Sequence, residues 1–253
     1  YAEALQKSLY FYDAQRSGDL PEDFRVKWRG DSALQDGSDV GIDLSGGYYD
    51  AGDHVKFVLP MAGSMTLLAW GGIEYDSAYA DSGQKAHFLE AVRWGMDWLM
   101  KAHPEDTVLY GQVGNGSLDH SFWGPPENMT MARPAYKIDA AHPGTEIAGE
   151  SAAAMAAASL VFKNEDPAYA QKLLGHARTL FDFAERYQDR YTNAIPDAAA
   201  YYNSYSGYED ELMWSAAWLH RATGETSYLL KAESLYNEYF SQESFHWTHS
   251  WDG

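Results

Sequence analysis

The feature that most limits what this chain can fold into is a helical hydrophobic rhythm that returns seven times and almost never gives way to strand-like alternation. The segments cover residues 2–15, 60–79, 84–102, 145–164, 167–187, 208–223 and 227–240. Local signals agree with several of the ends. Asp166-Pro167 pairs an N-cap residue with a proline at the first helical position, and Thr223-Gly224 supplies a stop. Runs of β-branched residues with period two are nearly absent. The expected fold class is therefore all-α. No linker, repeat or low-complexity tract divides the 253 residues, so one domain over 1–253 is expected. The alanine-rich stretch 152–158 points to close helix packing.

The connections are of two kinds. Stretches 16–59, 103–144 and 188–207 are long, glycine-rich and aromatic, whereas the joins at 164–167 and 223–227 are only a few residues. In a fold of helical hairpins this asymmetry puts the long loops on one face. Long ordered loops on a rigid scaffold are where function usually sits.

Charge narrows the choice of partner. Lys and Arg total 18 against 37 Asp and Glu, a formal net charge of -19. Such a surface repels phosphate backbones and anionic lipid, so neither nucleic acid nor a membrane is an expected partner. The longest apolar stretch, 147–162, is interrupted by Gly149, Glu150 and Ser151 and does not read as a membrane span. With no Cys, disulfides and thiolate metal sites are excluded. Tyr1 opens directly into a helical pattern, as a mature or trimmed product would. Aromatic residues make up 15% of the chain, including 9 Trp and 19 Tyr. Rings with a polar edge suit the apolar faces of sugars, and they equally suit a large aromatic core.

The first candidate for chemistry is the run 46–57, GGYYDAGDHVKF. Asp50 and Asp53 lie three residues apart among glycines that let backbone approach a ligand. Two such carboxylates can jointly hold a water or a metal ion, and each raises the other's pKa. In an acidic protein the same pair also fits a solvated loop.

The surroundings of that pair carry a resemblance. GGYYDAGDHVKF followed by Leu59-Pro60-Met61-Ala62 resembles the nucleophilic-water loop of glycoside hydrolase family 9. Three further blocks are similar to the same family, in the same order. One runs from Tyr110-Gly111-Gln112-Val113-Gly114 through Asp119-His120 and Phe122-Trp123-Gly124-Pro125 to Met131-Ala132-Arg133-Pro134. The others are Gly144-Thr145-Glu146 through Met155, and Tyr202-Asn203-Ser204-Tyr205-Ser206-Gly207-Tyr208-Glu209-Asp210-Glu211-Leu212.

The resemblance implies an (α/α)6 barrel of the six-hairpin glycosidase type, with an open cleft built from its long loops. It implies a secreted endo-β-1,4-glucanase, a cellulase that hydrolyses β-1,4-glucans with inversion and uses no organic cofactor. Asp53 is then the general base that activates water, and Asp50 helps to fix that water. His120 and Trp123 match positions that contact glucose units beside the scissile bond, and Tyr202 matches a tyrosine near the reacting sugar. Tyr205 stands where relatives often carry Trp, which implies a stacking role. A structural calcium ion is implied too. Ser206 and Gly207 would offer carbonyls, and Asp210, Glu211 and Asp252 carboxylates. The acidic loop with Asp36, Asp39 and Asp43 lacks an ordered ligand pattern and is expected to be solvated. The sequons at Asn115 and Asn128 flank the cleft loop, and no glycosylation is expected there.

Seven helical segments fall short of six hairpins. In the family the general acid is a glutamate from a later segment, preceded by a substrate-binding His and Arg, and no part of this chain resembles either. Glu146, Glu150, Glu209 and Glu211 match other positions and do not replace it. The expectation is thus the N-terminal portion of such a catalytic domain, apparently incomplete at the C-terminus, with the remaining half of the barrel as its partner. Helix faces left open would favour self-association. The alternative is a non-catalytic glucan-binding or structural fragment.

Overall fold

A computed structural model describes residues 1–241. Seven long helices occupy the seven expected segments: α1 (Ala2–Ala14), α2 (Val58–Glu74), α4 (Lys85–Ala102), α6 (Thr145–Phe162), α7 (Pro167–Arg186), α9 (Glu209–Thr223) and α10 (Thr226–Leu235). Three short helices join them: α3 (Asp76–Asp81), α5 (Gly116–His120) and α8 (Tyr191–Ala194). The expected segment 60–79 is two helices, because the backbone leaves the helical region at Tyr75 before α3 begins. The last segment ends its α-helix at Leu235 and continues as a wider π-type turn, Tyr236–Phe240.

Caps act where the sequence placed them. The Asp166 side chain accepts a hydrogen bond from the Tyr169 N–H at 3.1 Å, ahead of Pro167 at the first position of α7. Gly224 ends α9 at φ 74°, and its N–H donates to the His220 carbonyl at 2.7 Å.

The helices form two layers. α2, α6 and α9 lie side by side, and α4, α7 and α10 back them as the outer arms of three hairpins. α6 is covered by α2, α7 and α9 together, and every residue from Thr145 to Ser159 is buried. Its alanines make this possible, since a helix enclosed on three sides needs small side chains for backbones to approach. At Gly149 a Cβ would sit 3.0 Å from the Glu211 carbonyl oxygen of α9. Among the described helices none is long and apolar enough to cross a membrane. Large apolar side chains stand exposed on α1 (Phe11), α2 (Leu67 and Trp70) and α10 (Leu230).

The expectation of almost no strands needs correction. Three short antiparallel strands form one sheet in the order β1 (Lys56–Phe57), β2 (Val108–Val113) and β3 (Ala135–Asp139). They escape a period-two search because β1 has two residues and the β2–β3 register slips between Tyr110 and Gln112. Their ends coincide: Lys56 pairs with Val113, and Val113 pairs with Ala135. The loop before β1 and the loop that links β2 to β3 therefore leave the sheet at one edge.

The tight α6–α9 crossing gives a direct test. Gly149→Val should lower stability by about 1–3 kcal/mol by forcing the helices apart. Gly175, on α7 with no heavy atom near an added Cβ, should accept Ala with up to about 1 kcal/mol gained. Thermal and urea unfolding of both variants would check this contrast.

Candidate active site

Residues 44–57 are shaped by backbone anchors. The Gly47 carbonyl accepts from the Ser17 N–H and the Trp94 indole, both at 2.9 Å, and the Trp98 indole donates to the Leu44 carbonyl at 2.8 Å. Gly46 and Gly47 have φ 97° and 73°, a region that side chains disfavour, and Gly47 lies flat on the Trp98 ring. The Asp50 N–H then donates to the Val55 carbonyl at 3.0 Å, which closes the loop that holds Asp53.

A buried ionic group locks that loop from behind. Lys56 is fully buried, and its ammonium donates to Asp36 at 2.8 Å and to the Leu44 carbonyl at 2.9 Å. Burial pushes the Lys56 pKa down to about 8, against the pull of Asp36. Arg133 grips the same Asp36 with two bonds, Nε to Oδ1 at 2.7 Å and Nη2 to Oδ2 at 3.0 Å. Burial alone would raise the Asp36 carboxyl, but the two cations beside it hold it below the usual range. Arg133 Nη1 also donates to the His54 carbonyl at 2.8 Å, while Asp119 accepts from the His54 N–H at 2.9 Å. The residue after Asp53 is thus held at both of its backbone polar groups.

This overturns the expectation of a solvated acidic loop for Asp36, while Asp39 and Asp43 are exposed to solvent as expected. Asp36 is 4% exposed; Asp39 accepts from the Ala135 N–H at 2.9 Å, and Asp43 pairs with Lys101 at 2.8 Å. The three acids tie the first long loop to β3 and to α4.

At the front, four of the expected residues converge. The Tyr202 hydroxyl reaches both Asp50 oxygens, at 2.7 and 2.8 Å. Burial first, with the nearby Asp53 charge adding to it, raises the Asp50 pKa to about 6; the Tyr202 hydroxyl opposes that rise. Asp53 accepts from the Ala51 N–H at 3.1 Å, and its other oxygen lies 3.4 Å from His120 Nε2. The Tyr202 ring packs on Phe57, and the His120 ring meets Tyr201 edge-on. A cavity of about 230 Å³ adjoins Asp50 and Tyr202, bounded by Phe11, Tyr12, Gln15 and Phe57. Trp123 and Tyr205 stand apart from this group, 97% and 74% exposed on their loops.

The loop of His120 has its own anchor. Both Asp197 oxygens are used: Oδ2 accepts from Gln112 at 2.5 Å and from the Gly116 N–H at 2.9 Å, and Oδ1 from Asn115 at 2.6 Å. Asn115 in turn caps α5, accepting from the Leu118 N–H at 3.0 Å. Sequence reading missed Asp36, Lys56, Asp119, Arg133 and Asp197 as site-forming residues. Lys56, Asp119 and Arg133 lie inside quoted motifs, so a signal was present there; a lone Asp197 carried none.

Of the residues expected to hold calcium, Ser206, Gly207, Asp210 and Glu211 lie together at the start of α9. Ser206 Oγ donates to Asp210 Oδ2 at 3.1 Å, and the Gly207 carbonyl accepts from Ser204. Asp210 Oδ1 and Glu211 Oε2 are buried and meet no donor among the described residues. Burial, and then the Asp210 charge, push the Glu211 carboxyl well above its usual value. Facing carboxylates of this kind require a shared proton or a cation, and an all-oxygen donor set suits calcium. Asp252 lies outside the described residues.

The sequence profile of glycosyl hydrolase family 9 matches residues 1–253. The chain belongs to this family. It is 55% identical to endoglucanase 15 of Arabidopsis thaliana over 98% of its own length, and spans 50% of that protein. An endoglucanase of the termite Nasutitermes takasagoensis superposes with a TM-score of 0.96 at 53% identity, covering all of this chain and 58% of its own. Cellulase Cel9M of C. cellulolyticum, solved with cellobiose, gives 0.93 at 37% identity and 59% coverage of its chain. The two helical layers are accordingly part of the family 9 (α/α)6 barrel, and this chain spans little more than half of those two solved chains.

The ionic lock makes the next prediction. Asp36→Ala strands two buried cations and should cost about 3–5 kcal/mol of stability. Asp36→Leu combined with Lys56→Met should restore part of that loss. Urea denaturation of the single and double variants would measure both effects.

Proposed function

We propose that this chain forms the water-activating side of an inverting endo-β-1,4-glucanase. The observation that carries the reading is the convergence of Asp50, fixed by Tyr202, and Asp53, on one closed loop, with His120 from a second loop. Asp53 takes the proton from the attacking water. Asp50 accepts that water's second hydrogen bond, its carboxylate oriented by the Tyr202 hydroxyl.

An inverting hydrolase keeps its acid and base carboxyls roughly 6.5–9.5 Å apart so that water fits beside the sugar. Two neighbouring acids on one tight loop are better suited to share the water than to divide the acid and base roles. The acid is assigned to the part of the barrel that this chain does not span. Glu146, Glu150 and Glu211 are buried among the helices, away from solvent.

Substrate binding falls to His120 and Tyr202 at the reacting sugar and to the exposed rings of Trp123 and Tyr205 farther along. An exposed indole offers a flat apolar face at low entropic cost, which suits the axial C–H faces of a β-1,4-glucan. Calcium, held by Ser206, Gly207, Asp210 and Glu211, would supply charge neutralisation and no chemistry of its own. Those residues follow directly on Tyr202, so a filled site would steady that segment. Action on an extracellular polymer fits a secreted protein.

Two outcomes follow. Asp53→Asn should reduce reducing-sugar release from soluble cellulose derivatives by about 10²–10⁴ while cello-oligosaccharide affinity holds. The measurement needs the part of the barrel that carries the acid to be supplied; retained affinity with no turnover in either parent or variant even then would favour a glucan-binding role instead. The pH profile tests Asp50. As its carboxylate protonates near the value of about 6 set by burial, kcat/KM should fall with falling pH through that point. Tyr202→Phe removes a hydrogen bond that favours the charged form, so this acid limb should move to higher pH.

A further inference from the structure

Asp53, Asp119 and His120 converge beside the cleft. One oxygen of each carboxylate and one imidazole nitrogen lie within 4.8 Å of one another. His120 Nε2 and Asp53 Oδ2 are 3.4 Å apart. Zinc–ligand bonds of about 2.0–2.2 Å put the donor atoms of a tetrahedral site roughly 3.3 Å apart. The spacing of this pair therefore matches one edge of such a site.

Asp119 supplies a second, independent observation. It is 2% exposed, and its Oδ2 has no hydrogen-bond partner among the described residues. The nearest basic side chains, Arg133 (Nη1 at 3.8 Å) and His54 (Nδ1 at 4.0 Å), are beyond hydrogen-bond range. Its other oxygen is already committed to the His54 N–H. A buried carboxylate oxygen left without a donor, next to a second carboxylate and an imidazole, is a cation ligand in waiting.

We propose that Asp53, Asp119 and His120 form a site for a borderline divalent transition ion of the zinc class. The imidazole sets the selectivity. Calcium and magnesium prefer all-oxygen shells, whereas zinc and its neighbours take nitrogen readily. Three protein ligands leave at least one position open to the cleft, where a water completes the shell. The site is separate from the oxygen-rich segment at Ser206–Glu211, which contains no nitrogen ligand.

The regulatory consequence rests on the reading of Asp53 as the base; the site itself does not. An ion bound here occupies the carboxylate that would take the water's proton, so zinc acts as a reversible inhibitor. It also draws His120 away from any contact with sugar. Occupancy then depends on free metal, and chelators restore turnover.

The test is titration of the chelator-treated full chain with ZnCl2 by calorimetry and with Co2+ by visible absorption. Asp119→Asn keeps the acceptor for the His54 N–H, and His120→Gln changes a half-exposed side chain, so both variants should fold. The expected result is one equivalent bound with submillimolar affinity, weakened at least about tenfold in each variant. The Co2+ band of a low-coordinate site should vanish in His120→Gln. His142→Gln, at an exposed imidazole elsewhere, should bind as the parent does. No submillimolar binding, or equal affinity in parent, Asp119→Asn and His120→Gln, would overturn the proposal. Should Asp53→Asn abolish turnover while zinc fails to bind, the site falls and the catalytic reading stands. Should zinc bind as expected while Asp53→Asn leaves turnover intact, the site stands and the base assignment falls.

Discussion

The loop that holds Asp50 and Asp53 depends on one buried carboxylate shared by two cations. Asp36 sits between Lys56 and Arg133, out of contact with water, and through them it binds three stretches of chain that are far apart in sequence. Removing ions from water is expensive, and an apolar trio of equal volume would often be at least as stable. The physical advantage lies in direction. A guanidinium can hold a carboxylate with two bonds and still present a third donor to a backbone carbonyl, and no aliphatic side chain can do this. That third donor reaches His54, so the ionic group fixes the backbone next to Asp53.

Electrostatics at the front follows from the same rigidity. Asp50 and Asp53 repel each other and would separate on a mobile loop. Here the loop closes through the Asp50–Val55 backbone bond and is held at His54, so burial first, and then the repulsion, raise the Asp50 pKa. Tyr202 offsets part of that rise and fixes which way the carboxylate faces. The Ser206–Glu211 segment shows the same principle in an all-oxygen form: burial and the Asp210 charge push the Glu211 carboxyl well up, and a cation would relieve the pair.

The helices were legible because amphipathic periodicity repeats over many residues and caps mark its ends. All seven long helices lie where that rhythm and Asp166, Pro167 and Gly224 placed them. The barrel and the roles proposed for Asp50, Asp53, His120 and Tyr202 came from motif resemblance; periodicity carries no information about which loops meet. The sheet was illegible because β1 has two residues and β2 carries an irregularity. Asp36 was misread for a related reason. Its partners lie 20 and 97 positions away, and an acid in a glycine-rich loop looks solvated until the chain brings its cations to it. Asp197, with its three donors all from the second long loop, was hidden in the same way.

The aligned ends of the small sheet have a mechanical consequence. The loop of Asp53 enters β1 at Lys56, the loop of His120 leaves β2 at Val113, and Arg133 precedes the start of β3 at Ala135, with these strand ends paired side by side. The Gly114 N–H adds a further bond to the Pro134 carbonyl at 2.9 Å. Three segments clamped at one point cannot swing independently, so this wall behaves as an anvil. On the proposed function, any breathing that lets a glucan chain slide or detach would then come from the exposed loop tips bearing Trp123 and Tyr205, while Asp50, Asp53 and His120 keep their spacing throughout.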